Sequence, residues 1–124
     1  MKKTKILIVE DEAVVSLFLK IQLEKRGYYV SGQEITGELA IQAVQKEEPD
    51  IILMDIHLAG KIDGIQAATA IRQFSNANII VMTGYEDEGL RKAVRGLKSA
   101  EILTKPVSIS DIIAVLEQKF KYIV

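Results

Sequence analysis

The sequence contains no cysteine, no tryptophan and a single histidine among its 124 residues. Without cysteine, the chain has no disulfide framework, no Cys-ligated zinc site, no iron–sulfur cluster and no thiol nucleophile. With His57 as the one histidine, a multi-histidine metal site is excluded and a Ser/His/Asp triad is disfavoured. Aromatic residues make up only 6% of the chain, so we expect an aliphatic core.

An excess of charge of one sign and long apolar runs are also lacking. The 16 Lys and Arg nearly balance the 17 Asp and Glu, which argues against direct binding of nucleic acid. Each apolar run is shorter than a membrane-spanning helix, so we expect no membrane contact. We therefore predict a cytoplasmic protein. The length predicts a single domain over residues 1–124, with no output domain among them.

Short apolar runs alternate with segments of helical periodicity. The predicted strands are Lys5–Val9, Tyr28–Ser31, Ile51–Met54, Ile79–Met82 and Ile102–Thr104. The predicted helices are Ala13–Arg26, Leu39–Glu47, Ile65–Phe74, Leu90–Leu97 and Ile109–Phe120. Three strands are nearly continuous aliphatic runs, a pattern typical of parallel strands covered by helices on both faces. Because such crossovers are right-handed, this order predicts a doubly wound parallel α/β sheet.

Three residues give local predictions at the ends of these elements. Gly27 follows the first helix, where a glycine commonly ends a helix in a left-handed conformation. Ser108 and Asp111 predict a capping box at the start of the last helix.

Polar residues stand at the carboxyl ends of the predicted strands, where open α/β sheets bind ligands. They are Glu10, Asp11 and Glu12 after the first strand, Asp55 after the third, Thr83 after the fourth and Lys105 after the fifth. Gly32, Gln33 and Glu34 after the second suggest little chemistry. Carboxylates held close together raise one another's pKa or recruit a cation. Hard oxygen ligands suit Mg²⁺, which also pairs with phosphate oxygens.

Each of these residues also has an ordinary structural role. Acidic residues after a strand often form the first turn of the next helix, where they complement its dipole. Asp55 could occupy a turn, Thr83 could cap a helix, and Lys105 could be a solvated strand end. Because all of them fall at corresponding strand ends, together they favour a site for Mg²⁺ and phosphate.

Five short motifs stand at these positions in a fixed order. They are Ile6-Leu7-Ile8-Val9-Glu10-Asp11-Glu12, Pro49-Asp50-Ile51-Ile52-Leu53-Met54-Asp55, Asp63-Gly64, Val81-Met82-Thr83-Gly84 and Lys105-Pro106. In this order and spacing the chain resembles the receiver domain of response regulators in two-component signalling, over essentially all 124 residues. The resemblance implies a flavodoxin-like sheet of five parallel strands in the order 2-1-3-4-5, with five helices.

The resemblance also implies a metal-dependent phosphorylation site. Asp55 would be the phospho-acceptor that attacks the phosphorus of a phosphohistidine. Asp11 and Asp55 would give carboxylate oxygens to Mg²⁺, with the backbone carbonyl of His57 as the third protein ligand. Glu10 would act through water or by a longer contact.

Two further residues would read the new phosphoryl group. Lys105 would pair with its oxygens, and Thr83 would move to hydrogen-bond it and start the switch. The Lys105-Pro106 bond would be cis, as only an X-Pro bond readily allows. The family's usual aromatic residue, three positions before this lysine, is replaced by Ile102. We therefore expect phosphorylation to survive and the output to be transmitted differently.

The loop after Asp55 lacks the family's frequent Met-Pro pair and is one residue longer than usual before Asp63-Gly64. His57 and Tyr85 lie two positions after Asp55 and Thr83, and we hypothesise that they shape the access of hydrolytic water. A solvated loop histidine is an equal alternative for His57.

The resemblance implies a sensor histidine kinase or a phosphotransfer protein as donor, and an output domain or effector as recipient. The chain would then catalyse only its own phosphorylation and dephosphorylation. The family docks partners or dimerises through the fourth helix, fifth strand and fifth helix. We hypothesise that this surface includes the predicted fourth helix, which carries Arg91, Lys92, Arg95 and Lys98.

Two alternatives remain at this point. The first is a pseudo-receiver that binds partners without phosphorylation, which only Ile102 favours. The second is an enzyme of related fold. A haloacid-dehalogenase-type phosphatase needs Asp-x-Asp after the first strand, a dinucleotide enzyme needs Gly-x-Gly-x-x-Gly, and a flavin carrier needs a Ser/Thr/Gly-rich first loop. The sequence contains none of these three patterns at the required place.

Overall fold

The computed structural model describes residues 3–84 and 88–120. The strands are β1 Lys5–Val9, β2 Tyr29–Glu34, β3 Ile51–Asp55, β4 Asn78–Thr83 and β5 Ala100–Thr104. The helices are α1 Ala13–Lys25, α2 Gly37–Glu47, α3 Gly64–Arg72, α4 Glu88–Arg95 and α5 Ile109–Ala114, which continues as a π-helical segment, Val115–Lys119. Strands and helices alternate along these residues, as predicted.

The five strands form one parallel sheet in the order β2-β1-β3-β4-β5, which confirms the predicted fold class. Val9 of β1 pairs with Met54 of β3, and Asp55 pairs with Met82 of β4. Thr83 at the end of β4 pairs with Thr104 of β5. This register brings the carboxyl ends of β1, β3, β4 and β5 to one edge of the sheet.

The aliphatic core lies in two layers, one on each face of the sheet. Alternate strand residues such as Leu7 and Ile52 pack against α2, α3 and α4 on one face. Their neighbours Ile6 and Ile8 pack against α1 and α5 on the other. Because β1, β3 and β4 are covered on both faces, they carry continuous aliphatic runs instead of alternating apolar and polar residues.

Several element boundaries differ from the prediction. β2 extends to Glu34, so Gly32, Gln33 and Glu34 lie inside the strand and not after it. The reason is tertiary pairing, since they pair with the last three residues of β1 despite weak strand propensity. Asp55 and Thr83 are the last residues of their strands. α2 begins two residues early because the Thr36 hydroxyl accepts the Leu39 N–H at 3.1 Å.

Three local predictions are confirmed. The Ser108 and Asp111 side chains form a reciprocal capping box at the start of α5. Gly27 follows α1 with a φ of 94°, in the region that glycine enters without strain. The Lys105–Pro106 peptide bond is cis.

Helix α1 is apolar on two faces. Leu19 and Leu23 are buried in the core, whereas Val14, Leu17, Phe18 and Ile21 are 82, 55, 54 and 44% exposed. The exposed four follow the i, i+3, i+4, i+7 spacing of one helical face, and we call them the α1 stripe. Across residues 3–84 and 88–120, every helix is too short or too polar to span a bilayer.

Candidate functional site

Three carboxylates meet at the carboxyl edge of the sheet. Glu10, Asp11 and Asp55 each place one carboxylate oxygen within 4.8 Å of the other two. Glu10 and Asp55 are each only 2% exposed, and Asp11 is exposed. The cluster forms because β1 and β3 are neighbours in register, so Glu10 and Asp11, which follow β1, stand beside Asp55 at the end of β3.

The pKa of Glu10 is raised by its surroundings in this cluster. Burial raises the pKa of Glu10 to about 7, and the neighbouring Asp55 adds to the increase. The Glu12 N–H, which donates to Glu10 Oε2 at 3.2 Å, and the charge of Lys105 oppose this increase only in part. The folded chain therefore favours the protonated form of Glu10 more than an exposed glutamate would.

Lys105 places a positive charge beside Asp55. Its Nζ donates to Asp55 Oδ1 at 3.0 Å, and the Lys105 side chain is 35% exposed. Burial alone would lower the pKa of Lys105, but the hydrogen bond and charge of Asp55, helped by Glu10 and Glu12, produce a net increase. The ammonium form is therefore present at neutral pH. The same Oδ1 also accepts the His57 N–H at 3.3 Å.

Thr83 completes the predicted set at the end of β4. It is fully buried, and its carbonyl accepts the Lys105 N–H at 2.7 Å. Its strand is the direct neighbour of the one that Asp55 ends. The structure thus brings Asp55, Lys105 and Thr83 to one edge, as the sequence predicts.

The structure describes Ile102 but not Tyr85, the two other positions singled out in the sequence. Ile102 lies half-buried in β5, opposite Val81, and packs against the core layer on that face. An aliphatic side chain thus fills the position that is usually aromatic. Tyr85 lies outside the described residues, so its hypothesised role stays a prediction.

The two ends of α4 are joined by an ion pair. Arg95 contacts Glu88 at 2.6 Å, with both side chains mostly exposed, so part of the basic face of α4 is neutralised within the helix.

A small cavity of about 120 Å³ opens beside the carboxylates, between α1 and the segment after β5. Val15, Leu19, Met82 and Val107 give it an apolar lining, and Glu10, Glu12 and Lys105 form its polar side. Sequence reasoning found neither this cavity nor the α1 stripe. The signal was present: residues 14–23 hold seven large apolar side chains, more than a single buried face of a helix needs.

The donor set fits a Mg²⁺ ion. Mg²⁺ is a small hard cation that prefers a few carboxylate oxygens as ligands. The site offers such oxygens on one exposed and two buried side chains. A divalent cation would also offset the repulsion between Glu10 and Asp55, which adds to the increase that burial produces in the pKa of Glu10. Glu10, Asp11 and Asp55 are the residues whose carboxylate oxygens lie close enough together to bind it.

Comparison with known proteins agrees with this geometry. The family model of the response regulator receiver domain matches residues 6–117. The transcriptional regulatory protein PdtaR of Mycobacterium tuberculosis is 34% identical over 113 residues, which cover 91% of this chain and 55% of that protein. The chain thus spans about half the length of the curated relatives that it matches.

Solved structures show the same fold. The signal receiver domain of a modulated diguanylate cyclase from Desulfovibrio desulfuricans G20 is 31% identical, covers 98% of this chain and 100% of that one, and superposes with a TM-score of 0.80. The receiver domain of the response regulator PhyR from Erythrobacter litoralis is also 31% identical, covers 98% and 93% of the two chains, and has a TM-score of 0.83.

Proposed function

This chain belongs to the response regulator receiver family, and we propose that Asp55 accepts a phosphoryl group from a histidine kinase or phosphotransfer protein in a Mg²⁺-dependent reaction. One observation carries the proposal. The buried Asp55 carboxylate lies 3.0 Å from the Lys105 ammonium and within 4.8 Å of two further carboxylates. A carboxylate suited to act as a nucleophile, an ammonium group and carboxylates that could bind a metal therefore share one edge of the sheet.

The chemistry asks the chain for positioning and charge, which is what phosphoryl transfer requires of a protein. An Asp55 carboxylate oxygen attacks the phosphorus, the phosphorus–nitrogen bond to the donor histidine breaks, and an aspartyl phosphate forms. Lys105 is placed to shift from Asp55 to the incoming phosphoryl oxygens and to neutralise part of their charge. Asp11, Asp55 and the His57 carbonyl would hold Mg²⁺, with support from Glu10, and the ion would supply the remaining neutralisation.

Thr83, the last residue of β4, responds to phosphorylation of Asp55. The Thr83 hydroxyl moves to hydrogen-bond the phosphoryl group, which shifts the end of β4. Because Ile102 replaces the usual aromatic residue, we propose that the movement reaches the surface of α4, β5 and α5 through aliphatic packing and not through a ring rotation. That surface would bind the output partner or a second copy of the chain.

We also propose that the phosphodonor docks on α1. The α1 stripe exposes four large apolar side chains, and its first member, Val14, lies three residues after Asp11. The 120 Å³ cavity continues the apolar surface from Val15 to the side of Glu10 and Lys105. A donor protein must bring its phosphohistidine to this edge, so an apolar helical surface beside that histidine would cover the stripe while the transfer occurs.

Incubation with acetyl phosphate and Mg²⁺, followed by intact mass measurement, tests the proposed function. We expect a gain of one phosphoryl group that is lost in Asp55→Asn and in EDTA. A known receiver serves as a control for the donor and the metal. No gain under conditions that phosphorylate the control would overturn the proposal and favour a phosphorylation-independent interaction module, the role that Ile102 suggests.

A further inference from the structure

The segment 57–63, which we call the β3–α3 loop, is fastened to α2 by the side chain of Glu38. Glu38 Oε2 accepts the Lys61 N–H at 3.2 Å. Gly60 lies under the same carboxylate with a φ of 99°, and a Cβ at Gly60 would stand 3.0 and 3.1 Å from the two Glu38 oxygens. Glycine at this position therefore serves both the backbone angle and the close approach of Glu38.

Two further contacts join the loop to the first turn of α2. Thr36, which caps this helix, also forms an isolated parallel bridge with Ala59. Ile62 lies so close to Gly37 that a Cβ there would meet its Cγ1 at 2.7 Å. Because α2 packs its buried face into the core, its first turn is a fixed support for the loop.

The start of the loop reaches the candidate site directly. His57, its first residue, donates its backbone N–H to Asp55 Oδ1 at 3.3 Å. At the far end, Asp63 caps α3, and the Gly64 N–H donates to the Ile56 carbonyl at 2.9 Å. The loop therefore spans from the acceptor residue to α3, and its middle is fastened to α2.

Charge adds to the geometry of this fastening. The Lys61 N–H holds the pKa of the Glu38 carboxyl below its ordinary value, so the carboxylate is ionised at neutral pH. A hydrogen bond from a backbone N–H to an ionised carboxylate is stronger than one to a neutral acceptor.

We propose that Glu38 is a positioning residue, which holds Lys61 and thereby fixes the β3–α3 loop and the His57 backbone beside Asp55. Its effect on metal binding and phosphoryl transfer rests on the proposed function. The fastening itself is a property of the chain without metal or phosphate, so the two can be measured separately.

The fastening is tested first, in EDTA, by amide hydrogen exchange at Lys61 and by the rate of tryptic cleavage after Lys61. We expect Glu38→Ala to speed both by roughly tenfold, since one charge-assisted bond is lost. Glu38→Gln keeps an acceptor oxygen and should restore part of the protection. Glu48→Ala, an exposed carboxylate at the other end of α2, should match the unaltered chain. Thermal unfolding by circular dichroism confirms that each variant is folded.

The positioning role is tested next by Mg²⁺ affinity, measured by isothermal titration calorimetry. We expect roughly tenfold weaker binding in Glu38→Ala, with partial recovery in Glu38→Gln, as for groups that orient metal ligands. Unchanged exchange and cleavage in Glu38→Ala would overturn the fastening. A loosened loop with unchanged Mg²⁺ affinity would overturn the positioning role. Failure of the unaltered chain to bind Mg²⁺ would overturn the proposed function, while exchange at Lys61 would still decide whether Glu38 holds the loop.

Discussion

Replacing Glu10 by Gln should make the metal-free protein more stable at pH 8 but not at pH 5. Burial raises the pKa of Glu10 from 4.5 to about 7 in the folded chain. Each tenfold change in proton affinity is worth about 1.4 kcal/mol, so ionising Glu10 in the folded state costs about 3 kcal/mol. Glutamine has a similar shape and carries no charge, so it avoids this cost.

The direction of the pH dependence follows from linkage. The folded state binds the Glu10 proton more tightly than the unfolded state does, so its stabilising effect is fully present below pH 4.5. The effect is lost as the pH rises towards and through 7. Between pH 5 and 8 the unaltered chain should therefore lose up to about 3 kcal/mol of unfolding free energy relative to Glu10→Gln.

Urea unfolding in EDTA, followed by circular dichroism at 222 nm, measures this difference in a chain without tryptophan. Glu24→Gln removes an exposed carboxylate near the end of α1 and should follow the pH dependence of the unaltered chain. At pH 8, Mg²⁺ at a hundred times its dissociation constant should return about 2.7 kcal/mol to the unaltered chain. Parallel stability curves for the unaltered chain and Glu10→Gln from pH 5 to 8 would refute the reasoning.

Three further substitutions test other parts of the account. Lys105→Met removes the ammonium that lies 3.0 Å from Asp55 and should slow phosphorylation by acetyl phosphate roughly a hundredfold. Intact mass measurements over time give the initial rate, and an unchanged rate would exclude a role for Lys105. Gly64→Ala would place a Cβ against the Asp55 carbonyl oxygen and should lower the free energy of unfolding in urea by about 3 kcal/mol, whereas Gly84→Ala, with open space around it, should lower it little. Equal losses in the two variants would contradict the packing. Phe18→Ser should slow phosphoryl transfer from a histidine-phosphorylated kinase that phosphorylates the unaltered chain, while leaving the rate with acetyl phosphate unchanged. Phe74→Ser, a similarly exposed phenylalanine after α3, is its control, and an equal loss in both variants would argue against docking on α1.

The parts of the fold that were predictable depend on local pattern. The continuous aliphatic runs of β1, β3 and β4 identify strands buried on both faces, and their order with the helices leaves few topologies. β2 was predicted too short because Gly32, Gln33 and Glu34 have weak strand propensity and pair only through contact with β1. The π-helical segment after α5 was not predicted, since its sequence has ordinary helical periodicity.

The candidate site was predictable because its residues end the strands or follow them directly. Glu10, Asp55, Thr83 and Lys105 meet wherever the strands are parallel and neighbouring, so the topology suffices to place them together. Glu38 was missed for the opposite reason. Its partner Lys61 is 23 residues away in a loop, and only the path of that loop across α2 brings them together.

Reduction of the phosphorylated protein with borohydride tests the central claim most directly. Borohydride converts an aspartyl phosphate to homoserine, which peptide sequencing by mass spectrometry can locate. After incubation with acetyl phosphate and Mg²⁺, we predict homoserine at position 55 alone and none in EDTA. A reduced carboxyl at Glu10 or Asp11 instead, or no reduced residue in a chain that has gained a phosphoryl group, would contradict the assignment of Asp55 as the acceptor.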